Sequence, residues 1–326
     1  MSKYHIPVMP KETIEYLNIK PGSWYIDCNL GGGGHTEKIL EAGGRVLGID
    51  LDPDSITEVA KKYGLELKTE SQGLRAYSKN LILCQTNFAK IKEVVTSSLR
   101  ANKVSEAISR ERIASSPTAP RNDVMGILFD LGVSTHQLEE DQRGFSFNKD
   151  APLDMRMNQN SNQAKAADLI NGLHEGELTE LFRVLGEENF AKPIARAVVN
   201  YREHKRIETT NELASIVLSV RHRSPQDRTH PATRIFQALR IAVNDELHSL
   251  KDALPEAFEV LSPSGRIVVI SFHSLEDRIV KNFFKELSTQ GKGKILTNKP
   301  LEPSEEEVLE NPRSRSGKMR VIEKVS

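Results

Sequence analysis

An excess of charge of either sign is missing: Lys plus Arg and Asp plus Glu number 45 each in 326 residues, so the formal net charge is zero. That excludes a basic coat for indiscriminate nucleic-acid binding and leaves any such contact to local patches. Cysteine is scarce as well. Cys28 and Cys84 lie in separate apolar runs with no CxxC spacing, which argues against a disulfide framework or a cysteine-built zinc site and fits a reducing compartment. No apolar run approaches the roughly 20 residues of a membrane-spanning helix. Residues 1–10 contain no apolar signal core, so the expected location is the cytoplasm, off the membrane. The nine histidines show no metal-ligand spacing, and no metal is expected.

What is present is an ordinary globular composition, 38% hydrophobic and 28% charged, which disfavours wholesale disorder. The length suits two domains, or one with a large insertion. The first third alternates short apolar runs with helical patterns, the signature of a parallel sheet covered by helices. Residues 24–30, 45–50, 80–84 and 126–130 read as successive strands, with a short helix over 36–42. From about 134 the period becomes helical, over 164–171, 177–185, 191–205 and 211–220, the last opened by a Thr209/Glu212 capping box. Strand patterns return at 265–271 and 319–325. Helices over 234–250 and 275–287 flank the first of these, and Ser274 with Asp277 reads as the cap of the second. This predicts an α/β domain made of residues 1–133 and 231–326, with 134–230 inserted as a helical domain. The polar stretch 97–123 reads as a loop or weak helix. Residues 192–240 hold ten basic residues against four acidic ones, either an RNA-facing patch or a set of solvated helix faces.

After the first strand comes Gly31-Gly32-Gly33-Gly34-His35-Thr36. Glycines there let the backbone turn sharply and come close to a ligand at a helix start. Asp50 ends the second strand nineteen residues after Gly31, near the spacing at which a carboxylate accepts ribose hydroxyls. Together these indicate an adenosine-bearing cofactor. Thr36 replaces the last glycine of a G-x-G-x-x-G pattern, which disfavours a pyrophosphate, and no residues announce hydride transfer. Methyl transfer therefore ranks above dehydrogenation. The fourth strand delivers Asp130 to the same sheet edge, where its carboxylate either accepts N–H bonds from a substrate amine or caps the following turn. Methylation at carbon 5 of a pyrimidine needs a thiolate near the later strands. Both cysteines belong to earlier ones, so nitrogen or oxygen methylation is preferred.

A set of ordered motifs covers almost the whole chain: His5-Ile6-Pro7-Val8-Met9, the glycine run, Asp130-Leu131-Gly132-Val133-Ser134, Arg143-Gly144-Phe145-Ser146-Phe147, Ala151-Pro152-Leu153-Asp154-Met155-Arg156-Met157, His230-Pro231-Ala232-Thr233-Arg234, residues 236–246, and Ser271-Phe272-His273-Ser274-Leu275-Glu276-Asp277-Arg278. In these the chain resembles the bacterial 16S ribosomal RNA cytosine-N4 methyltransferase family, also called MraW. The resemblance implies a class I, Rossmann-like methyltransferase sheet that uses S-adenosylmethionine, with the inserted helical domain recognising substrate. It implies that Gly33, Gly34, His35, Asp50, Phe88, Asp130 and Gln137 contact that cofactor, Phe88 lying against the adenine. Without the resemblance, Phe88 reads as core.

The substrate it implies is a decoding-centre cytidine of 16S ribosomal RNA in the small subunit; Asp130, by its place at the end of the fourth strand, is the candidate catalytic residue. Arg143, Phe145, Phe147, Arg156, His230, Arg234 and His273 are candidates for the base pocket and RNA backbone contacts. The chain departs from the family in Thr135, in Pro193 and in the length of 97–123. Methylation of another RNA nitrogen, a protein or a small molecule remains open, as do a non-catalytic assembly role and a homodimer.

Overall fold

The computed structural model describes residues 7–70, 73–99, 124–140, 142–225 and 229–325. The stretch 97–123, read as a loop or weak helix, lies mostly outside them. The chain divides into two compact units, Met1–Gly132 with His248–Ser326, and Val133–Leu247.

The first unit is built on a nine-stranded sheet. Its strands are β1 (Trp24–Asp27), β2 (Arg45–Asp50), β3 (Lys68–Glu70), β4 (Gly73–Tyr77), β5 (Leu81–Gln85), β6 (Val124–Asp130), β7 (Arg266–Ser271), β8 (Gly293–Ile295) and β9 (Lys318–Lys324), in the order β3-β4-β5-β2-β1-β6-β7-β9-β8. The five central strands, β5 to β7, run parallel, and β9 runs antiparallel beside β7. Antiparallel strands flank the parallel core on both sides, β4 beside β5 and β9 beside β7, in the Rossmann-like α/β arrangement expected from the sequence.

The central strands are near-continuous apolar runs because both of their faces are covered. Alternate residues point to opposite faces. Ile26, Leu47 and Ile82 pack with Leu254 and Phe258 of α11 (Glu246–Val260) and Phe284 of α12 (Ser274–Thr289). Tyr25, Val46 and Leu83 pack instead with Leu17 of α1 (Pro10–Leu17), Ile39 of α2 (Gly34–Glu41) and Val59 of α3 (Pro53–Lys62). The first set also takes in Val94 and Val95 of the helix over 91–99, α4.

The second unit holds α5 (Thr135–Glu139), α6 (Ala166–Gly172), α7 (Glu175–Val184), α8 (Ala191–Arg202), α9 (Thr210–Val220) and α10 (Thr233–Asn244). Thr209 and Glu212 form the expected capping box at the start of α9. Phe182, Ile194, Leu213, Ile235 and Leu239 share one core.

Three expectations need correcting. The helix read over 234–250 is two helices, broken where Asp245 takes the left-handed conformation at φ 50°. Because the apolar face of α10 packs in the helical core, the division falls at 247 rather than at 230. The cap of α12 is His273 with Glu276, one residue earlier than Ser274 with Asp277. Among the described residues, no helix is long and apolar enough to cross a membrane.

Candidate active site

Three neighbouring parallel strands, β2, β1 and β6, each carry an aspartate at the carboxyl end: Asp50, Asp27 and Asp130. This is the edge at which open parallel sheets bind ligands, beside the point where strand order reverses.

The glycine run bridges β1 and α2. Gly31 and Gly33 take positive φ, 48° and 72°, a conformation that side chains disfavour. The Gly31 N–H donates to Asp50 Oδ2 at 2.8 Å, and the Asp52 N–H donates to Oδ1 at 2.9 Å. A Cβ on Gly34 would stand 2.9 Å from Pro7 Cδ, and one on Gly33 would stand 3.0 Å from Val59 Cγ2. Packing against the Pro7 ring thus requires glycine at 34, and the positive φ together with the close approach to Val59 favours it at 33, beside any demand from a ligand.

Burial and the charge of Asp52 push the Asp50 carboxyl up to about 7, against the pull of its two N–H donors. Each carboxylate oxygen has two lone pairs. With one N–H on each oxygen and the Ser55 hydroxyl as a third donor, Asp50 keeps one lone pair for a ligand hydroxyl such as that of a ribose.

His35 lies in the first turn of α2 and is 4% exposed. Its Nε2 stands 3.3 Å from Asp130 Oδ2, a charge contact looser than a well-aligned hydrogen bond. Burial pulls the imidazole pKa down, but Asp130, Asp27 and Glu307 together outweigh it and leave the pKa raised. Asp27 is itself buried and accepts the Thr36 hydroxyl at 2.8 Å. Burial raises its pKa while His35 lowers it. Glu307, from the short helix α13 (Glu305–Glu310), accepts the Met9 N–H at 2.7 Å, and burial raises its pKa too. His35 Nδ1 is buried with no hydrogen-bond partner, a donor or acceptor available to a ligand. Phe88 starts a single 3-10 turn capped by Asn87, half-buried and edge-on to Phe129 at 5.7 Å.

Sequence reasoning missed Asp27, Asp52 and Glu307. An aspartate inside the apolar run of β1 was a visible signal for Asp27. Asp52 caps α3 through the Asp54 N–H at 3.1 Å. Nothing distinguished Glu307 within its acidic stretch.

His273 belongs to the sheet unit as well, but its side chain caps α12. It accepts the Glu276 N–H at 3.4 Å, and its Nε2 lies 3.2 Å from Glu276 Oε1. That placement does not support RNA contact.

In the helical unit, the structure redirects three candidates for RNA contact into the fold. Arg143 is 2% exposed and donates to the Met157 carbonyl at 2.7 Å. Phe145 is buried in the core beneath it. Arg156 grips Asp154 through two bonds of 2.8 and 2.9 Å and the Ser161 carbonyl at 2.7 Å. Gln137 is buried, and its Oε1 accepts the Ser134 N–H at 3.0 Å in the capping box of α5. Phe147 and His230 remain partly exposed and lie ring against ring, centroids 4.6 Å apart and tilted by 31°. Burial and Arg223 lower the His230 pKa, so this ring pairs as a neutral aromatic. Arg234 is exposed and donates to the Glu187 carbonyl at 2.8 Å.

The chain matches the MraW methylase family over residues 2–325. The "Ribosomal RNA small subunit methyltransferase H" of Carboxydothermus hydrogenoformans is 43% identical over 338 residues, covering 99% of this chain and 98% of that protein. A protein of the same name from Heliobacterium mobile is 40% identical over 347 residues and 100% of both chains. That of Brevibacillus brevis is 39% identical over 348 residues, 100% of this chain and 99% of its own.

Proposed function

The chain belongs to the MraW methylase family, and from that premise we propose that it methylates the exocyclic N4 of a decoding-centre cytidine in 16S ribosomal RNA of the small subunit, working in the cytoplasm. Methylation of ribosomal RNA is the activity named for its full-length relatives. The observation that carries the finer reading is the buried Asp130 carboxylate, with His35 against it, at the strand edge that also holds Asp50.

S-adenosylmethionine, when bound, supplies an electrophilic methyl group on a sulfonium. Asp50 accepts a ribose hydroxyl, Phe88 lies against the adenine, and the turn from Gly33 to His35 holds the methionine end, with Gln137 a further contact. The spare lone pair of Asp50 and the unpartnered His35 Nδ1 fit this assignment.

An exocyclic amine is a poor nucleophile because its lone pair is shared with the ring. Asp130 accepts its N–H bonds, localises that pair and aims it. His35 holds the carboxylate in place and offsets its buried charge. A carbon-5 mechanism is disfavoured on thiol chemistry: burial raises the pKa of both Cys28 and Cys84, so neither is a ready thiolate. The target base must leave its stack to be reached. In the helical unit, the proposed substrate-recognition part, the Phe147/His230 ring pair and Arg234 offer the RNA aromatic and cationic contact.

Mass mapping of small-subunit RNA from cells with and without the gene tests this. The expected result is one cytidine that loses a base methyl group when the gene is deleted and does not regain it from Asp130→Ala. An unchanged methylation map, or a methyl group missing from a different base, would sink the assignment.

A further inference from the structure

Val184 and Phe190 are the two large apolar side chains left exposed among the described residues of the helical unit, at 46% and 47%. Phe190 stands between α7 and α8 and is held there. Its N–H donates to Glu188 Oε1 at 2.8 Å. The other oxygen of that carboxylate lies 3.4 Å from Arg221 Nη1, and the Glu188 side chain is fully buried. The Arg221 guanidinium carbon is in turn 5.8 Å from the centre of the Phe190 ring. A buried carboxylate is costly unless charge-paired and hydrogen-bonded. Here its two oxygens bring an exposed phenyl ring and a partly exposed guanidinium within 5.8 Å of each other, and a purely structural ion pair would need no exposed ring. The rim is mostly cationic: Lys192 is exposed two residues on, and exposed Arg234 is tied to the carbonyl of Glu187, the exposed acid of the turn.

We propose that Phe190 and Arg221 form a stacking platform for an unpaired base of the RNA substrate, with Lys192 and Arg234 facing its flanking phosphates. The proposal rests on the reading of that substrate as ribosomal RNA. Phenyl and guanidinium planes both accept stacked bases, and neither demands a particular base. The cations complement phosphates in a chain whose net charge is otherwise zero.

The test is methyl transfer by the full-length protein to small subunits isolated from cells lacking the gene, titrated against subunit concentration. Phe190→Ala is expected to raise KM for subunits about tenfold, equivalent to ~1.4 kcal/mol, with kcat held within about twofold. Phe190→Trp should restore KM. Arg221→Lys keeps a cation for Glu188 but loses the planar group, and should raise KM less than Phe190→Ala. Thermal melts of each variant separate binding from folding, and Phe190, being exposed, should be replaceable without loss of the fold. A folded Phe190→Ala whose KM stays within twofold of wild type would overturn the proposal. So would a Phe190→Ala that alters sedimentation of the free protein but not KM, marking a contact between copies instead. Wild-type protein that transfers no methyl group to any small-subunit RNA would overturn the reading beneath it, an outcome distinct from either.

Discussion

His35 and Asp130 form a buried pair whose strength depends on the proton carried by the histidine. The His35 pKa is raised by its acidic neighbours. A raised cation pKa adds stability that is complete below the unfolded value, near 6.5 for histidine, and is lost as pH climbs through the folded value. Replacing His35 by Gln leaves Asp130 buried without its counter-charge, a loss of about 3 kcal/mol where the pair is ionised. Urea denaturation should therefore show a large gap between wild type and His35→Gln at pH 6 and a smaller one at pH 9. A gap that is flat or grows with pH would mean that His35 is neutral in the fold. At this scale the sequence was legible where spacing carries chemistry: Gly31 does meet Asp50 across nineteen residues. It was not legible where burial decides. Arg143 and Arg156 read as RNA contacts by residue type, yet their partners are a carbonyl and a carboxylate of the same unit.

Among the elements, the irregular stretch 142–165 is held by backbone geometry that one glycine makes possible. Gly144 sits at φ 72°, and a Cβ there would fall 2.2 Å from the Pro152 carbonyl oxygen and 2.9 Å from the Asp154 nitrogen. Backbone cannot give way as a side-chain tip does, so Gly144→Ala should cost about 3 kcal/mol or more in chemical denaturation. Gly64→Ala is the control. It also has a positive φ, 62°, but nothing lies within 4 Å of the new Cβ, so only the conformational cost of about 1–2 kcal/mol remains. Equal losses in the two variants would refute the steric account.

The buried strands and the α9 cap were legible because apolar period and capping chemistry are local. The hairpin of β3 and β4 was not, since β3 is three exposed residues without alternation. The break at Asp245 was hidden because the apolar stripe runs on past it. What marks the break is Asn244, which accepts the Met157 N–H at 2.8 Å and donates to the Met155 carbonyl at 2.8 Å, contacts remote in sequence.

For the whole molecule, zero net charge limits how RNA can be held. Equal numbers of acidic and basic residues give no long-range attraction, so affinity must come from few local cations and from stacking. Residues 192–240, with ten basic side chains against four acidic, carry a local basic excess of six, and several of them are engaged within the fold, as Arg240 is with Glu246. If roughly three to five phosphates are neutralised, the logarithm of the binding constant should fall against the logarithm of salt with a slope of about −2 to −4. Lys192→Ala should make that slope shallower by roughly 0.7, the share of one single-stranded phosphate contact. Phe190→Ala should weaken binding at every salt concentration and leave the slope unchanged, because a stacked ring releases no counterion. Salt titration of the protein with labelled small-subunit RNA measures all three. A wild-type slope steeper than about −6 would require more neutralised phosphates than this stretch of a neutral chain can supply.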